Sequence, residues 1–475
     1  MSNQHSKGVF EMTSIILNTD SYKTSHFEQY PSMTERISSY IEARGVDDEF
    51  PRVKTTLFVG PQAFIKKNLL SPFTLEDIRE AEEIFALHGV PFNKLGWENL
   101  LYRHGGYLPL KITALPEGSH VPLKTPLVQV QNTDDTAPWL TSYIETSLLR
   151  AIWYPTTVAT LSHYIKTIML DYVKRTADDE SVIDFMLHDF GARGVSSEES
   201  AALGGLGHIV NFKGTDTISA LIAARKFYGA TMPAFSIPAA EHSTITSWGK
   251  DNEVGAYSNM VDKFGDKLYA VVSDSYDIYN AVENIWGTFL KDKVINKGGR
   301  LVVRPDSGDP LVVVPKIINI LGEKFGYTVN NKGFKVLHPS VRVIQGDGVN
   351  PKSIDGILYA LMKDGWSAEN VVFGMGGALL QKVNRDSLKF AMKANAICKS
   401  GHWSDVYKDP VTDPGKSSKR GIQAVLPGYK VVPASDLYWT DKYIGQEDML
   451  RTVYENGKLL IDDNFDTIRE RAKVV

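Results

Sequence analysis

A series of short apolar runs in this chain each ends in glycines and charged residues, a mixture suited to holding phosphates and sugar hydroxyls. The endings read HDFGARG (188–194), NFKGTD (211–216), IPAAEH (237–242), SDSYD (273–277), RPDSGD (304–309), QGDG (345–348) and FGMGG (373–377). In FGMGGALLQK a strand runs into Gly374, Gly376 and Gly377 and a helix begins. Glycines let backbone N–H groups approach an anion, and a helix N-terminus adds a favourable dipole. The same text also reads as an ordinary tight turn. In RPDSGDP, Arg304 could hold a phosphate or a carbonyl, and Asp306 could accept from ribose hydroxyls. A capped turn with an internal Arg–Asp pair is the alternative. Asp347, between glycines, suits hydroxyl binding or a plain turn. His242, after Glu241, is either a nucleophile or a hydrogen-bonded structural histidine. Asp216 and Asp274 read as ligand-binding acids or as helix N-caps.

Other chemistries are excluded. The triplet Gly415-Lys416-Ser417 has Pro410 where a phosphate-binding P-loop needs glycine, and there is no H-E-x-x-H or G-x-S-x-G. Gly204, Gly205 and Gly207 follow a helical run and are expected to form a helix C-cap. The net charge of −4 provides no broad cationic field, so no nucleic-acid partner is expected. The single cysteine, Cys398, can form neither an intrachain disulfide nor a thiolate cage, which fits a reducing, cytoplasmic setting. The N-terminus lacks a basic-then-apolar signal pattern. The most apolar long stretch, 138–174, is interrupted by Glu145, Arg150, His163 and Lys166, so no membrane span is expected.

These endings need strands behind them. YAVVS, RLVVR, VRVI and NVVF are short enough to be buried parallel strands. Chemistry gathered at strand C-terminal ends is the pattern of a (β/α) barrel, although an open doubly wound sheet would give a similar text. At 475 residues, a large domain with a smaller one is the natural expectation. LEDIREAEEIFALHG reads as a helix, as do 138–152 and 157–175, the last with Ile165, Ile168, Met169 and Tyr172 on one face. The stretch 408–421 is a loop, and Glu455-Asn456-Gly457 is a hairpin-like turn in a β-rich tail. The expected organisation is a mobile tail at 1–13, an α+β region at 14–180, an α/β core at 181–390 and a β-rich segment at 391–475.

Taken in order, TDSYKTSHFEQYP (19–31), HDFGARGVSSEE (188–199), NFKGTDT (211–217), IPAAEHSTITSWGKD (237–251), VVSDSYDIYN (271–280), RPDSG (304–308), VIQGDGV (343–349), FGMGGALLQK (373–382) and KDPVTDP (408–414) closely resemble the nicotinamide phosphoribosyltransferases, which are type II phosphoribosyltransferases. The resemblance runs from about residue 14 to about 465, and departs at Met375, where a small residue is expected. It implies an irregular α/β barrel, a smaller β-rich α+β domain built from both chain ends, and a homodimer with shared active sites.

The resemblance also implies roles. Phe190 and the partner subunit's Tyr22 would sandwich a pyridine ring, with Asp20 beside Tyr22. Asp216 would accept from the carboxamide NH₂, and Arg304 would meet the carboxamide oxygen or a phosphate. Arg193 would meet pyrophosphate, and Asp306, Gly346 and Asp347 the ribose. Gly376 and Gly377 would receive the 5′-phosphate, with Arg385, Arg44, Lys393 and Lys408 adding charge. Asp274 would help to organise magnesium-bound pyrophosphate, and His242 would be phosphorylated by ATP. The implied reaction makes nicotinamide mononucleotide from nicotinamide and phosphoribosyl pyrophosphate. Competing readings are a nicotinate phosphoribosyltransferase, an unrelated phosphosugar barrel enzyme, and a non-catalytic nicotinamide-binding or signalling protein. The first would set Asp216 against a substrate carboxylate.

Overall fold

The apolar runs in the middle of the chain form the strands expected of them. The computed structural model describes residues 14–48, 50–413, 416–439 and 441–473. Within it, Gly214–Thr215, Leu187–Asp189, Val371–Met375, Val341–Gln345, Arg300–Arg304 and Leu268–Val272 lie side by side in that order as one sheet. Every neighbouring pair is parallel, with Val343 opposite Val371 and Tyr269 opposite Leu301. The stretch Phe235 to Ala239 joins the two edges, through parallel bridges from Phe235 to Gly214 and from Ala239 to Ala270. This is the irregular barrel rather than the open sheet. Pro238 has no N–H to donate, so this stretch makes single bridges and not a full ladder. Inside, Ala270, Val302 and Ile344 form a buried cluster against which Phe190, Ile237 and Val372 pack. Helices follow the strands, among them Pro310–Phe325, capped by Asp309, and Pro351–Lys363, capped by Asn350.

Two expectations are corrected. Gly204, Gly205 and Gly207 lie inside the helix Glu198–Ile209 and are buried. The reason is packing: a β-carbon on Gly205 would fall 2.6 Å from Ala220 Cβ. The two helices expected at 138–152 and 157–175 are a short turn, Leu140–Tyr143, and one continuous helix, Glu145–Thr176, that contains Pro155. Tertiary anchoring overrides the break at that point. The Thr156 hydroxyl donates to Val59 O (2.8 Å) and accepts the Val59 N–H (3.2 Å).

The chain divides into two units of comparable length. The barrel unit comprises Val158–Arg225 and Ala230–Val383; the other comprises the described residues up to Thr157, Lys226–Gly229 and the described residues of Asn384–Ala472. The second unit is therefore built from both chain ends. Its seven-stranded antiparallel sheet places Phe390–Lys399 against Thr34–Ala43, then Val128–Asn132, Leu110–Ala114 and Arg451–Glu455. The helix Leu75–His88 starts at a Thr74–Asp77 capping box and stops at left-handed Gly89. The turn at Asn456 and Gly457 has φ of 50° and 86° and joins Arg451–Glu455 to Lys458–Leu459. Among the described residues no helix is long and apolar enough to cross a membrane. The expected tail at 1–13 lies outside the described residues.

Candidate active site

The barrel's strand ends bring Phe190, Arg304, Asp306 and Gly346 together. Phe190 follows Leu187–Asp189, and its N–H donates to Met375 O (3.0 Å), tying the loop to the neighbouring strand. Its ring lies against the Gly374 backbone, where a β-carbon would come within 2.0 Å of Phe190 Cε2. Only glycine permits that approach. A β-carbon on Gly346 would lie 3.4 Å from the same ring atom, 3.2 Å from Arg304 Nε and 3.3 Å from Asp306 Oδ1. The Arg304 guanidinium carbon is 5.6 Å from the Phe190 ring centroid. Arg304 donates through Nε (3.0 Å) and Nη2 (2.9 Å) to the Asp306 carboxylate. The internal Arg–Asp pair is thus present, and it pre-orients both side chains at the strand end.

Asp216 sits after Gly214–Thr215. Its Oδ1 accepts from His188 Nε2 (2.9 Å) and from the Ser236 hydroxyl (2.5 Å). Burial works to raise its pKa. The hydrogen bond and charge of His188, the Ser236 hydroxyl and Arg304 outweigh that and hold it below the usual aspartate value. Asp216 is therefore a carboxylate that can only accept. No motif singles out His188 or Ser236 in the sequence; the one signal is that His188 stands two residues before Phe190, the spacing of one strand face.

His242 opens the short helix His242–Thr246. Its Nε2 lies 3.0 Å from Asp274 Oδ1, and Asp274 Oδ2 accepts the Asp306 N–H (3.1 Å) and the Ser307 hydroxyl (2.5 Å). Asp274 is not spent on a cap there, since Asp277 caps the following helix Ile278–Asn280. A carboxylate oxygen accepts, so Nε2 is the His242 nitrogen that donates to Asp274, and in the neutral ring Nδ1 is then the one with the lone pair. His208 is a contrast. It is fully buried between the Ser162 hydroxyl and Gly214 O, and burial pushes its pKa down to about 4, which makes it a neutral structural histidine.

In the glycine loop, Met375 ends its strand with a buried side chain, and Gly376 precedes the short helix Gly377–Leu380. The turn that carries exposed Arg193 packs beside it, since a β-carbon on Gly194 would lie 3.4 Å from Gly377 Cα. Asp347 is exposed, and its carbonyl accepts from Gln345 Nε2 (2.7 Å).

The remaining residues lie in the unit built from both chain ends. There the segment around Tyr22 is pinned at several points. Thr146 donates to Asp20 Oδ2 (2.6 Å), Lys23 pairs with Glu145 (2.7 Å), and His26 Nδ1 meets the Ser142 hydroxyl (2.7 Å). Tyr22 is 62% exposed, with the His26 ring edge-on at 5.3 Å. Arg44 is held by Nε donating to Lys389 O (3.1 Å). The Lys393 ammonium has its pKa lowered, first by burial and then by the charges of Arg44, Lys408 and Arg385, against the opposing charge of Glu145. Arg44, Lys408 and Arg385 thus all act on the Lys393 ammonium, a repulsion that a bound anion would relieve.

Comparison with known proteins adds independent findings. The model of the nicotinate phosphoribosyltransferase (NAPRTase) family matches residues 185–458, and that of the nicotinamide phosphoribosyltransferase N-terminal domain matches residues 14–112. A nicotinamide phosphoribosyltransferase of Xanthomonas campestris is 50% identical over 97% of this chain and 98% of its own. Another, from Acinetobacter baylyi, is 30% identical over 95% of each chain. Among solved structures, a nicotinate-nucleotide pyrophosphorylase from Pyrococcus furiosus has a TM-score of 0.62 at 16% identity, over 99% of this chain and 97% of that one. Human nicotinic acid phosphoribosyltransferase has a TM-score of 0.56 at 16% identity, over 96% and 92%. At those identities the two structures show a common fold.

Proposed function

The chain belongs to the nicotinamide phosphoribosyltransferase family, and from that premise we propose that it transfers the phosphoribosyl group of phosphoribosyl pyrophosphate to nicotinamide, giving nicotinamide mononucleotide and pyrophosphate in NAD salvage. The observation that carries the choice of ring is the ionised Asp216 beside Phe190 and Arg304. A carboxamide offers Asp216 two N–H donors, whereas nicotinate would bring a second carboxylate. Phe190 supplies one flat face for a ring that becomes cationic as the new bond forms. Asp306 and Asp347 are suited to the ribose hydroxyls. Arg193, Gly376 and Gly377, with the cations Arg44, Arg385, Lys393 and Lys408, suit the phosphate and the departing pyrophosphate.

Magnesium suits this donor set as an ion carried on the pyrophosphate. Among the described residues no group of three or more His, Cys, Asp or Glu is arranged to hold a metal ion, so Asp274 would add little beyond phosphate oxygens and water. When bound, the ion would neutralise charge on the leaving group.

The further parts of the proposal are ATP as co-substrate, a homodimer and a cytoplasmic setting. His242 supports the first: with its Nε2–H held by Asp274, Nδ1 is free to attack the γ-phosphorus of ATP, releasing ADP and leaving a phosphohistidine. The test is mass detection of product with phosphoribosyl pyrophosphate, with nicotinamide and nicotinate offered in parallel, with and without ATP. Nicotinamide mononucleotide should dominate and rise with ATP. Product from nicotinate alone would overturn the reading.

A further inference from the structure

We propose that His188 and Ser236 are positioning residues for substrate selection: together they commit Asp216 Oδ1 as a doubly accepting, ionised oxygen and leave Oδ2 as the acceptor for an amide N–H. The inference rests on the reading of this pocket as a nicotinamide site.

The two donors arrive on different elements. His188 lies in the strand Leu187–Asp189, and its imidazole packs against Gly214, where a β-carbon would fall 2.6 Å from Nδ1 and 3.3 Å from Cγ. Glycine at 214 makes the place for that ring. Ser236 comes from the stretch that closes the barrel. Phe235 N–H donates to Lys213 O (2.8 Å) and Thr215 N–H donates to Phe235 O (3.0 Å), which sets Ser236 alongside Asp216. Barrel closure and substrate selection thus share one bridge.

The chemistry follows from what each group can do. Both donors bind the ionised form of Asp216 and oppose its protonation. A pyridine carboxylate has only acceptors, so binding it requires Asp216 to take up a proton and share it, as paired carboxylates do. Arg304 also favours the carboxylate. The other ionisable groups around His188 are neutral His208 and buried Asp189. With His188 and Ser236 in place, a shared proton is disfavoured and nicotinate is rejected. A merely structural hydrogen bond would affect both pyridines alike.

The experiment compares the full-length enzyme with His188→Leu, His188→Gln and Ser236→Ala. It measures kcat/KM for nicotinamide and nicotinate at mildly acidic and mildly alkaline pH, KM for phosphoribosyl pyrophosphate, and direct binding of each pyridine by saturation-transfer NMR. His188→Leu and Ser236→Ala should each lower the nicotinamide-to-nicotinate ratio about tenfold or more, the scale of a lost hydrogen bond to a charge. The fall should be larger at acidic pH. His188→Gln, which keeps a side-chain N–H, should stay within about threefold of wild type. KM for phosphoribosyl pyrophosphate should not move. Ser236 is exposed, so its alanine variant keeps the test open if His188→Leu folds poorly. Equal losses on both pyridines with an unchanged ratio would overturn the inference, as would wild-type enzyme that binds the two rings equally. Wild-type enzyme that binds nicotinamide selectively but makes no product would overturn the functional reading and leave this inference standing.

Discussion

His242 Nε2 lies 3.0 Å from Asp274 Oδ1, while the other oxygen of that carboxylate holds the Asp306 N–H and the Ser307 hydroxyl. One nearly buried acid therefore links the candidate phosphorylated histidine to the loop proposed to hold ribose. The two ends of this link can be separated by mutation. His242→Ala should abolish ATP hydrolysis while ATP-independent transfer persists, with KM for phosphoribosyl pyrophosphate little changed. Asp274→Asn should reduce ATP hydrolysis on the order of a hundredfold or more, as expected when a carboxylate that fixes a histidine tautomer is lost. It should also raise KM for phosphoribosyl pyrophosphate, because the Asp306 loop loses a charged anchor. Steady-state assays of both reactions, with acid-labile phosphate on the protein, decide the matter. Full ATP hydrolysis by His242→Ala would return His242 to a structural role.

Phe190 and Gly374 form a contact that admits no side chain. Gly374→Ala places a β-carbon 2.0 Å from Phe190 Cε2, so the ring must leave its position. The overpacking should cost about 1–3 kcal/mol of stability. KM for nicotinamide should rise, because the ring's face is displaced. In a Phe190→Ala background the clash is gone, and adding Gly374→Ala should change stability little. Chemical denaturation of all four members of the cycle tests this. An additive cycle would show that the two residues do not compete for space.

Lys393 gives a pH prediction with a definite sign. Its pKa lies below the ordinary lysine value of 10.5, so it loses its proton at a lower pH than an exposed lysine would. An anion favours the ammonium form, so binding in that window takes up a proton. Affinity for phosphoribosyl pyrophosphate should be full below the lowered pKa and fall as pH rises through it. Lys393→Arg keeps its charge and should flatten that fall. Lys393→Met should weaken binding about tenfold at neutral pH and also lose the pH dependence. Calorimetric titration across alkaline pH reads both, and an unchanged slope in the arginine variant would remove Lys393 from the site.

The parts of the site readable from sequence were those that are contiguous. RPDSGD, SDSYD and QGDG each carry their chemistry within a few residues of a strand end, so the parallel strands and their active face could be read locally, while barrel and open sheet stayed indistinguishable. The donors to Asp216 could not: His188 stands 28 positions away and meets it through the pairing of neighbouring strands, and Ser236 stands 20 positions away and meets it only when the barrel closes. The closing stretch Phe235 to Ala239 was itself hidden, since Pro238 and single bridges leave no strand periodicity. The gap expected between 152 and 157 is bridged where Thr156 bonds Val59, and Gly205 reads as a cap because its packing partner Ala220 lies in another helix. The pairing of Thr34–Ala43 with Phe390–Lys399 joins sequence ends whose mutual need was expected only from the resemblance.

Tyr22 supports the last prediction, that two copies of the chain complete each active site. Its backbone segment is anchored through Asp20, Lys23 and His26, yet the residue is 62% exposed. A fixed, exposed aromatic face is suited to meeting a ligand held by another surface. A pyridine sandwich needs a second face opposite Phe190, and a symmetric dimer can supply it to each site from the other chain. Tyr22→Ala should lose stacking of about 0.5–1.5 kcal/mol beyond the area buried. The test mixes Tyr22→Ala with Asp216→Ala under conditions that exchange subunits, at nicotinamide concentrations low enough that each parent is strongly impaired. If sites are shared, a mixed dimer has one site with both lesions and one wholly intact site, so activity recovers. If each chain completes its own site, every site keeps one lesion and mixing recovers nothing. Heterodimers confirmed by native mass spectrometry without recovered activity would reject the shared site.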